Sequence, residues 1–190
     1  MITLIDPATH VTAPWKNGGG TATDFAVRLG PDGDVDWRIG TAAIEKDGPF
    51  SHYPDVTRVF TVVEGPGVHL DFSAEGTRTL DRDQPTRFAG APGPFCRLRG
   101  APATAFNLLM RDGAFSGDVQ IVTGGEGVIE PNPSDVLAFV ALEGDWQLTG
   151  EGLAPVVIRP WFTALLEGRG LVQIAAGPGA RAALVLLNVA

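Results

Sequence analysis

Glycine and proline punctuate this chain so densely that a long helix has nowhere to run. There are 25 glycines and 15 prolines in 190 residues. Proline inside a helix removes an amide donor and clashes with the preceding turn, and glycine costs backbone entropy. Between these breaks lie short apolar runs bounded by Gly, Pro, Asp or Asn, the pattern of strands joined by tight turns. They predict strands over residues 2–5, 21–29, 36–45, 58–64, 68–72, 95–99, 105–110, 119–122, 136–142, 156–167, 171–175 and 182–189. Many short strands without alternating helices predict a mainly β chain, an antiparallel barrel or sandwich.

A local pattern recurs three times. Val62-Val63-Glu64-Gly65-Pro66-Gly67-Val68 resembles Leu165-Leu166-Glu167-Gly168-Arg169-Gly170-Leu171, and Ala141-Leu142-Glu143-Gly144-Asp145-Trp146 is a third copy. Each reads as an apolar strand, a Glu-Gly turn and another strand, which predicts three β-hairpins. The copies also fit a chain built from two related halves.

The length suits one domain, or two small subdomains sharing a core, without disulfide staples. The 44% hydrophobic content argues against disorder, and Cys96 is the lone cysteine, so no intrachain disulfide can form. A net charge of −8 disfavours a general nucleic-acid binder, which needs basic surface. There is no apolar run near the ~20 residues of a membrane helix and no basic-then-apolar leader at the N-terminus. A soluble cytoplasmic protein is the expectation.

Residues Trp15-Lys16-Asn17-Gly18-Gly19-Gly20 combine an aromatic plate, a cation, an amide and three residues without side chains. Such a loop can bring backbone amides against a small anion, with Lys16 and Asn17 supplying charge and hydrogen bonds. It can equally be a hairpin turn, since Asn-Gly favours one. It is not a phosphate-binding P-loop, because Lys16 precedes the glycines and a strand follows. His10, His52 and His69 fall in no metal-binding pattern. A site from His52, His69, Asp71 and Glu75 is conceivable, but a single cysteine excludes zinc thiolate sites. None of Ser51, Ser73, Ser116 and Ser134 lies in a nucleophile motif.

The stronger constellation is cationic and polar. In Trp37-Arg38-Ile39-Gly40-Thr41-Ala42-Ala43-Ile44, strand alternation sends Trp37, Ile39, Thr41 and Ala43 to one face, and Arg38, Gly40, Ala42 and Ile44 to the other. Arg58 opens the apolar strand Val59-Phe60-Thr61-Val62-Val63. A guanidinium pointing into a barrel must be paired, with an internal carboxylate or with the carboxylate of a ligand. Gly48-Pro49-Phe50-Ser51 is a turn carrying an aromatic and a hydroxyl. Asn107 is an amide in the apolar run Ala105-Phe106-Asn107-Leu108-Leu109-Met110, facing either solvent or a pocket.

Taken in order, these stretches resemble the HutD/Ves family. The resemblance is carried by Pro14-Trp15-Lys16-Asn17-Gly18-Gly19-Gly20, Asp36-Trp37-Arg38-Ile39, Asp47-Gly48-Pro49-Phe50-Ser51, Arg58 before the strand ending in Glu64-Gly65-Pro66-Gly67, and Phe106-Asn107-Leu108-Leu109-Met110-Arg111. It spans residues 10–112, and Asp112 departs from it where a second Arg is common. The resemblance implies a bicupin, with approximate halves 1–112 and 113–190, each an antiparallel barrel or jelly roll, forming a homodimer. It implies a link to histidine utilisation, or to a stress-response branch. It also implies a regulatory or accessory role through binding a small carboxylate metabolite such as urocanate or formylglutamate. No cofactor and no direct nucleic-acid contact are expected. The ligand-binding set is then Trp15, Lys16, Asn17, Gly18, Gly19, Gly20, Trp37, Arg38, Phe50, Ser51, Arg58 and Asn107. Two other classes stay open: a cupin-type enzyme, with a metal or with Lys16 as base, and a protein-interaction module without a ligand.

Overall fold

The computed structural model describes residues 2–15, 18–130, 136–150, 153–167 and 170–190. The described residues are mainly strand, with two short 3-10 turns at Pro7–Thr9 and Ser73–Glu75. Among the described residues no helix is long and apolar enough to cross a membrane. The chain divides into two compact units, His10–Phe115, and Met1–Thr9 with Ser116–Ala190.

The unit His10–Phe115 is built from two antiparallel sheets. In chain order its strands are β2 (Val11–Pro14), β3 (Gly20–Leu29), β4 (Val35–Ile44), β5 (Gly48–Pro49), β6 (Val56–Glu64), β7 (Val68–Asp71), β8 (Thr77–Leu80), β9 (Thr86–Ala89), β10 (Phe95–Leu98) and β11 (Ala103–Arg111). One sheet has the order β2-β3-β4-β11-β6-β9, the other β5-β10-β7-β8. Their inner faces share one core. Ile44, Phe60, Val62 and Ala105 from the larger sheet meet Val68, Leu70, Leu80 and Cys96 from the smaller one. Burial of this apolar surface is the main favourable term holding the unit together.

Cys96 sits in that core at 1% exposure. Burial, with Asp47 nearby, pushes its thiol up to about 12. The thiolate is the reactive form, so Cys96 is expected not to react with a disulfide reagent at pH 8 until the protein unfolds. Rapid labelling of the folded protein would contradict this.

The second unit is one seven-stranded sheet. Its strands are β1 (Ile2–Ile5), β12 (Phe115–Ile129), β13 (Val136–Glu143), β14 (Trp146–Gly150), β15 (Leu153–Ile158), β16 (Thr163–Glu167) and β17 (Val172–Val189). The order is β1-β16-β13-β17-β14-β15, with β12 also on β17. β17 pairs with β14 through residues 172–176 and with β13 through residues 181–187. One long strand thus serves two neighbours, and the sheet curls around Phe139, Trp146, Leu148 and Ile158. Phe139 and Trp146 meet edge to face at 5.2 Å.

The three Glu-Gly repeats are not hairpins. β6 lies in one sheet and β7 in the other. β13 and β14 both pair with β17 and not with each other, and β16 pairs with β1 and β13. The repeats at Glu64-Gly65 and Glu143-Gly144 are corners that carry the chain to a new neighbour, and the turn of the third, at Gly168-Arg169, lies outside the described residues. The left-handed glycines Gly65, Gly67 and Gly144 permit a sharp reversal. Which strands then pair is decided by the faces that must be buried, not by the turn.

Candidate functional site

The site is set by the register of three strands. Arg38 on β4 lies opposite Leu109 on β11, which lies opposite Arg58 on β6. Two residues along, Gly40 faces Asn107 and Asn107 faces Phe60. Alternation puts Arg38, Gly40, Asn107, Leu109 and Arg58 on one face. Arg38 and Arg58 are therefore two strand spacings apart, about 10 Å between their backbones. The face forms the floor of a cavity of about 80 Å³, walled by Trp15, Phe50, Ser51 and Tyr53. At ~10–15 Å³ per water-sized probe, that space holds several waters or a small molecule.

Arg58 is 7% exposed and Asn107 6%. Arg58 Nε and Nη2 both donate to Asn107 Oδ1, at 2.8 and 2.5 Å. Asn107 Nδ2 donates to the Ala105 carbonyl at 3.2 Å. The guanidinium lies over Phe50, Phe60 and Phe88 at 4.5, 5.3 and 5.7 Å from the ring centroids. This is an aromatic cage for a cation. Among the described residues no carboxylate forms an ion pair with Arg58. Burial accordingly depresses its pKa to about 10, the effect expected of a desolvated charge. A buried guanidinium held by one neutral amide is short of an anion.

Arg38 differs. It pairs with Asp24 through Nε, and both side chains are 27% exposed. The bond uses one donor of five and leaves the terminal nitrogens of Arg38 for a ligand. The charged side chains on the cavity wall are Arg38, Arg58 and Asp24. Among the described residues the cavity therefore carries a net +1 within a chain of net −8. That balance suits one small carboxylate.

The sequence-derived set divides cleanly. Trp15, Arg38, Phe50, Ser51, Arg58 and Asn107 line the cavity. Trp37 is on the opposite face of β4, 4% exposed, as strict alternation with Arg38 demands. Gly18, Gly19 and Gly20 are outside the lining. They close the β2–β3 turn: Trp15 N donates to Gly20 O at 2.9 Å, and Gly18 N to Trp15 O at 3.0 Å. Gly18 is left-handed, with φ +67. The Gly19 carbonyl accepts from Glu45 N at 3.0 Å, tying the turn to the end of β4. The turn holds Trp15 against Phe50, with ring centroids 6.3 Å apart. Lys16 and Asn17 lie outside the described residues.

Sequence reasoning missed Asp24, Tyr53 and Leu109 as lining residues. Asp24 carried a signal, a lone carboxylate in the middle of β3. Its partner could be found only through the register, which shifts at a bulge between Asp24 and Ala26. Tyr53 is placed by its backbone, whose N donates to Gly90 O at 2.9 Å. Asp112 ties strand ends together. Its Oδ1 accepts from Thr57 Oγ1 at 2.7 Å, and its N donates to Asp55 O at 2.9 Å.

The alternative metal set is dispersed. His69 Nδ1 bonds Thr79 Oγ1 at 2.9 Å, Asp71 accepts from Ser73 N, and Glu75 pairs with Arg78. Among the described residues no three His, Cys, Asp or Glu side chains converge.

The HutD family model matches residues 7–180. An uncharacterized 21.2 kDa protein in the hutC 3' region of Pseudomonas putida is 31% identical over 142 residues, 74% of each chain. Protein Ves of Escherichia fergusonii is 30% identical over 108 residues, 56% of each chain. Among solved structures, HutD from Pseudomonas fluorescens SBW25, described as a formate condition, superposes with TM-score 0.85 at 26% identity over the whole of both chains. The bacterial pirin YhhW of Escherichia coli, solved with nickel(II), shares the cupin-like β fold at TM-score 0.69 and 12% identity over both whole chains.

Proposed function

The chain belongs to the HutD family, and on that premise we propose that it binds a small carboxylate metabolite and serves histidine utilisation as a regulatory or accessory protein. One observation carries this reading: the Arg58 guanidinium is buried in an aromatic cage with an amide and, among the described residues, no carboxylate partner. Charge that is buried unpaired is expensive, and a ligand carboxylate bound by charge-assisted hydrogen bonds offsets that cost. The neighbouring groups complete the design of a small-ligand site, mostly apolar with a few placed polar atoms. Phe50 and Trp15 supply walls, Ser51 and Tyr53 hydroxyls, and Arg38 a second cation.

In this reading the chain is a bicupin whose first half carries the site. The one carboxylate on the wall, Asp24, is paired with Arg38, and the rest of the donor set is guanidinium, amide and hydroxyl, which suits an anion and not a first-row metal. The protein works as a cytoplasmic homodimer that touches no nucleic acid itself, in keeping with its acidic charge. The candidate ligands are small carboxylates of the urocanate or formylglutamate class, with one carboxylate held at Arg58.

Titration calorimetry with urocanate, formylglutamate, glutamate and histidine tests the proposal. At least one is expected to bind, and Arg58→Met is expected to weaken it by about 10- to 100-fold, the worth of a charge-assisted contact. Silence from all four at millimolar concentration, or an affinity indifferent to Arg58→Met, would sink it.

A further inference from the structure

A second cavity, of about 70 Å³, adjoins the anion cavity. The two share three walls, Arg38, Tyr53 and Leu109. The second is closed by Val35, Val56, Met110 and Arg111. The wall they share runs along β11. Asn107, Leu109 and Arg111 project from one face of that strand. Asn107 lines the first cavity, Arg111 the second, and Leu109 both. Two residues of strand advance about 7 Å.

The second space has a different character from the first. Its single unshared charge is Arg111, which is held by both Asp32 and Asp36. The hydrogen bonds to Asp32, with both carboxylates close by, raise the Arg111 pKa. Arg111 is therefore already supplied with anions. Apart from Arg38 and Tyr53, shared with the first cavity, the remaining surface is the apolar lining of Val35, Val56, Leu109 and Met110.

Building on the anion-site reading, we propose that the two cavities form one ligand site and that the second fixes the substrate class. The carboxylate end lies at Arg58 and Arg38. A slender apolar body, a short alkyl chain or flat ring about 7 Å long, runs past Leu109 beneath Tyr53 into the annex. A second carboxylate at the far end is rejected, because the annex offers it no unpaired cation. Val35 and Val56 set the length of body accepted.

The test is a titration of the full chain with acetate, propionate, butyrate and succinate, followed by amide chemical shifts. Burial of each methylene is worth about fourfold in affinity. Butyrate is expected to bind about fifteenfold tighter than acetate on the same scale, and succinate no tighter than acetate. Val35→Phe fills the annex from a residue that is 39% exposed, so the fold tolerates it. It should leave acetate unchanged and abolish the gain for butyrate. Val56→Phe provides the same block from β6. Butyrate binding no tighter than acetate in the wild type overturns the inference and leaves the anion site standing. So does an equal loss of acetate and butyrate in both variants. If acetate and butyrate both fail to bind, the anion-site reading falls, and this one with it.

Discussion

Asn107→Leu is expected to cost about 2–4 kcal/mol of stability, and adding Arg58→Met to it is expected to restore most of that loss. Asn107 Oδ1 is the acceptor for two donors of a guanidinium that is 7% exposed. Deleting the amide strands the charge, and hydrogen bonds to charged groups are worth about 1.5–3 kcal/mol each before that penalty. Arg58→Met alone removes the charge but leaves Asn107 Oδ1 without its two donors, at about 1–3 kcal/mol. The double variant removes both partners together. Its methionine faces Phe50, Phe60 and Phe88, which surround the guanidinium in the wild type, and sulfur–aromatic contacts are favourable. Replacing a buried polar pair by apolar groups of similar size is often neutral or stabilising. Urea unfolding of all four proteins gives the coupling free energy of the cycle. A value near zero, with Asn107→Leu within about 0.5 kcal/mol of wild type, would show that Arg58 does not depend on Asn107 for its burial. The double variant should also be unable to bind carboxylates. Stability and function would then pull in opposite directions at one site, as they do where a site stores an unfavourable arrangement for its ligand.

The same pair shows how far a sequence can be read. Arg58 and Asn107 stand out because each is polar within an apolar run, and a strand face that is otherwise buried must find them partners. That much needs no coordinates. Their meeting depends on Leu109 lying opposite Arg58, a register no local pattern reveals. Trp37 and Arg38 are adjacent, so period 2 allows only one of them to face the cavity. The guanidinium does, and Trp37 is spent on the other face. The pairing of Asp24 with Arg38 is hidden for a similar reason: it depends on the register beside the bulge after Asp24, and not on its neighbours in sequence.

The strands divide in the same way. Strongly apolar runs, β1, β4, β6 and β13, are placed to within two residues by pattern alone. β8 (Thr77-Arg78-Thr79-Leu80) and β9 (Thr86-Arg87-Phe88-Ala89) were not foreseen, because each buries a single large side chain, Leu80 or Phe88. The run 156–167 is two strands. Pro160 and a left-handed Trp161 break it, and Trp161 N donates to Ala141 O at 2.7 Å. Conversely, Gly177-Pro178-Gly179 looks like a turn between strands, yet β17 runs through it. There the interruption bends a strand that changes partners, a tertiary demand that local propensity does not encode.

Gly40→Ala is expected to cost about 3 kcal/mol or more, at or beyond the usual range for overpacking. A Cβ at Gly40 would sit 2.2 Å from the Thr23 carbonyl oxygen and 3.1 Å from the Asp24 Cα. Both atoms are backbone of β3, so no side-chain rotation relieves the clash; β3 itself must move. Gly40 faces Asp24 across the β3–β4 ladder. Displacing β3 therefore pulls Asp24 away from Arg38 and opens the cavity floor. The variant should lose carboxylate affinity as well as stability, even where it remains folded. Gly177→Ala is the control. Nothing lies within 4 Å of its Cβ position and its φ is outside the left-handed region, so the change should be within about 0.5 kcal/mol, or slightly stabilising through the unfolded chain. Urea unfolding of the two variants beside wild type, with one carboxylate titration each, separates the outcomes. Equal stability of Gly40→Ala and Gly177→Ala would mean that β3 and β4 do not approach as closely as the register places them. A destabilised Gly40→Ala that still binds its ligand with full affinity would mean that Asp24 and Arg38 do not depend on that approach.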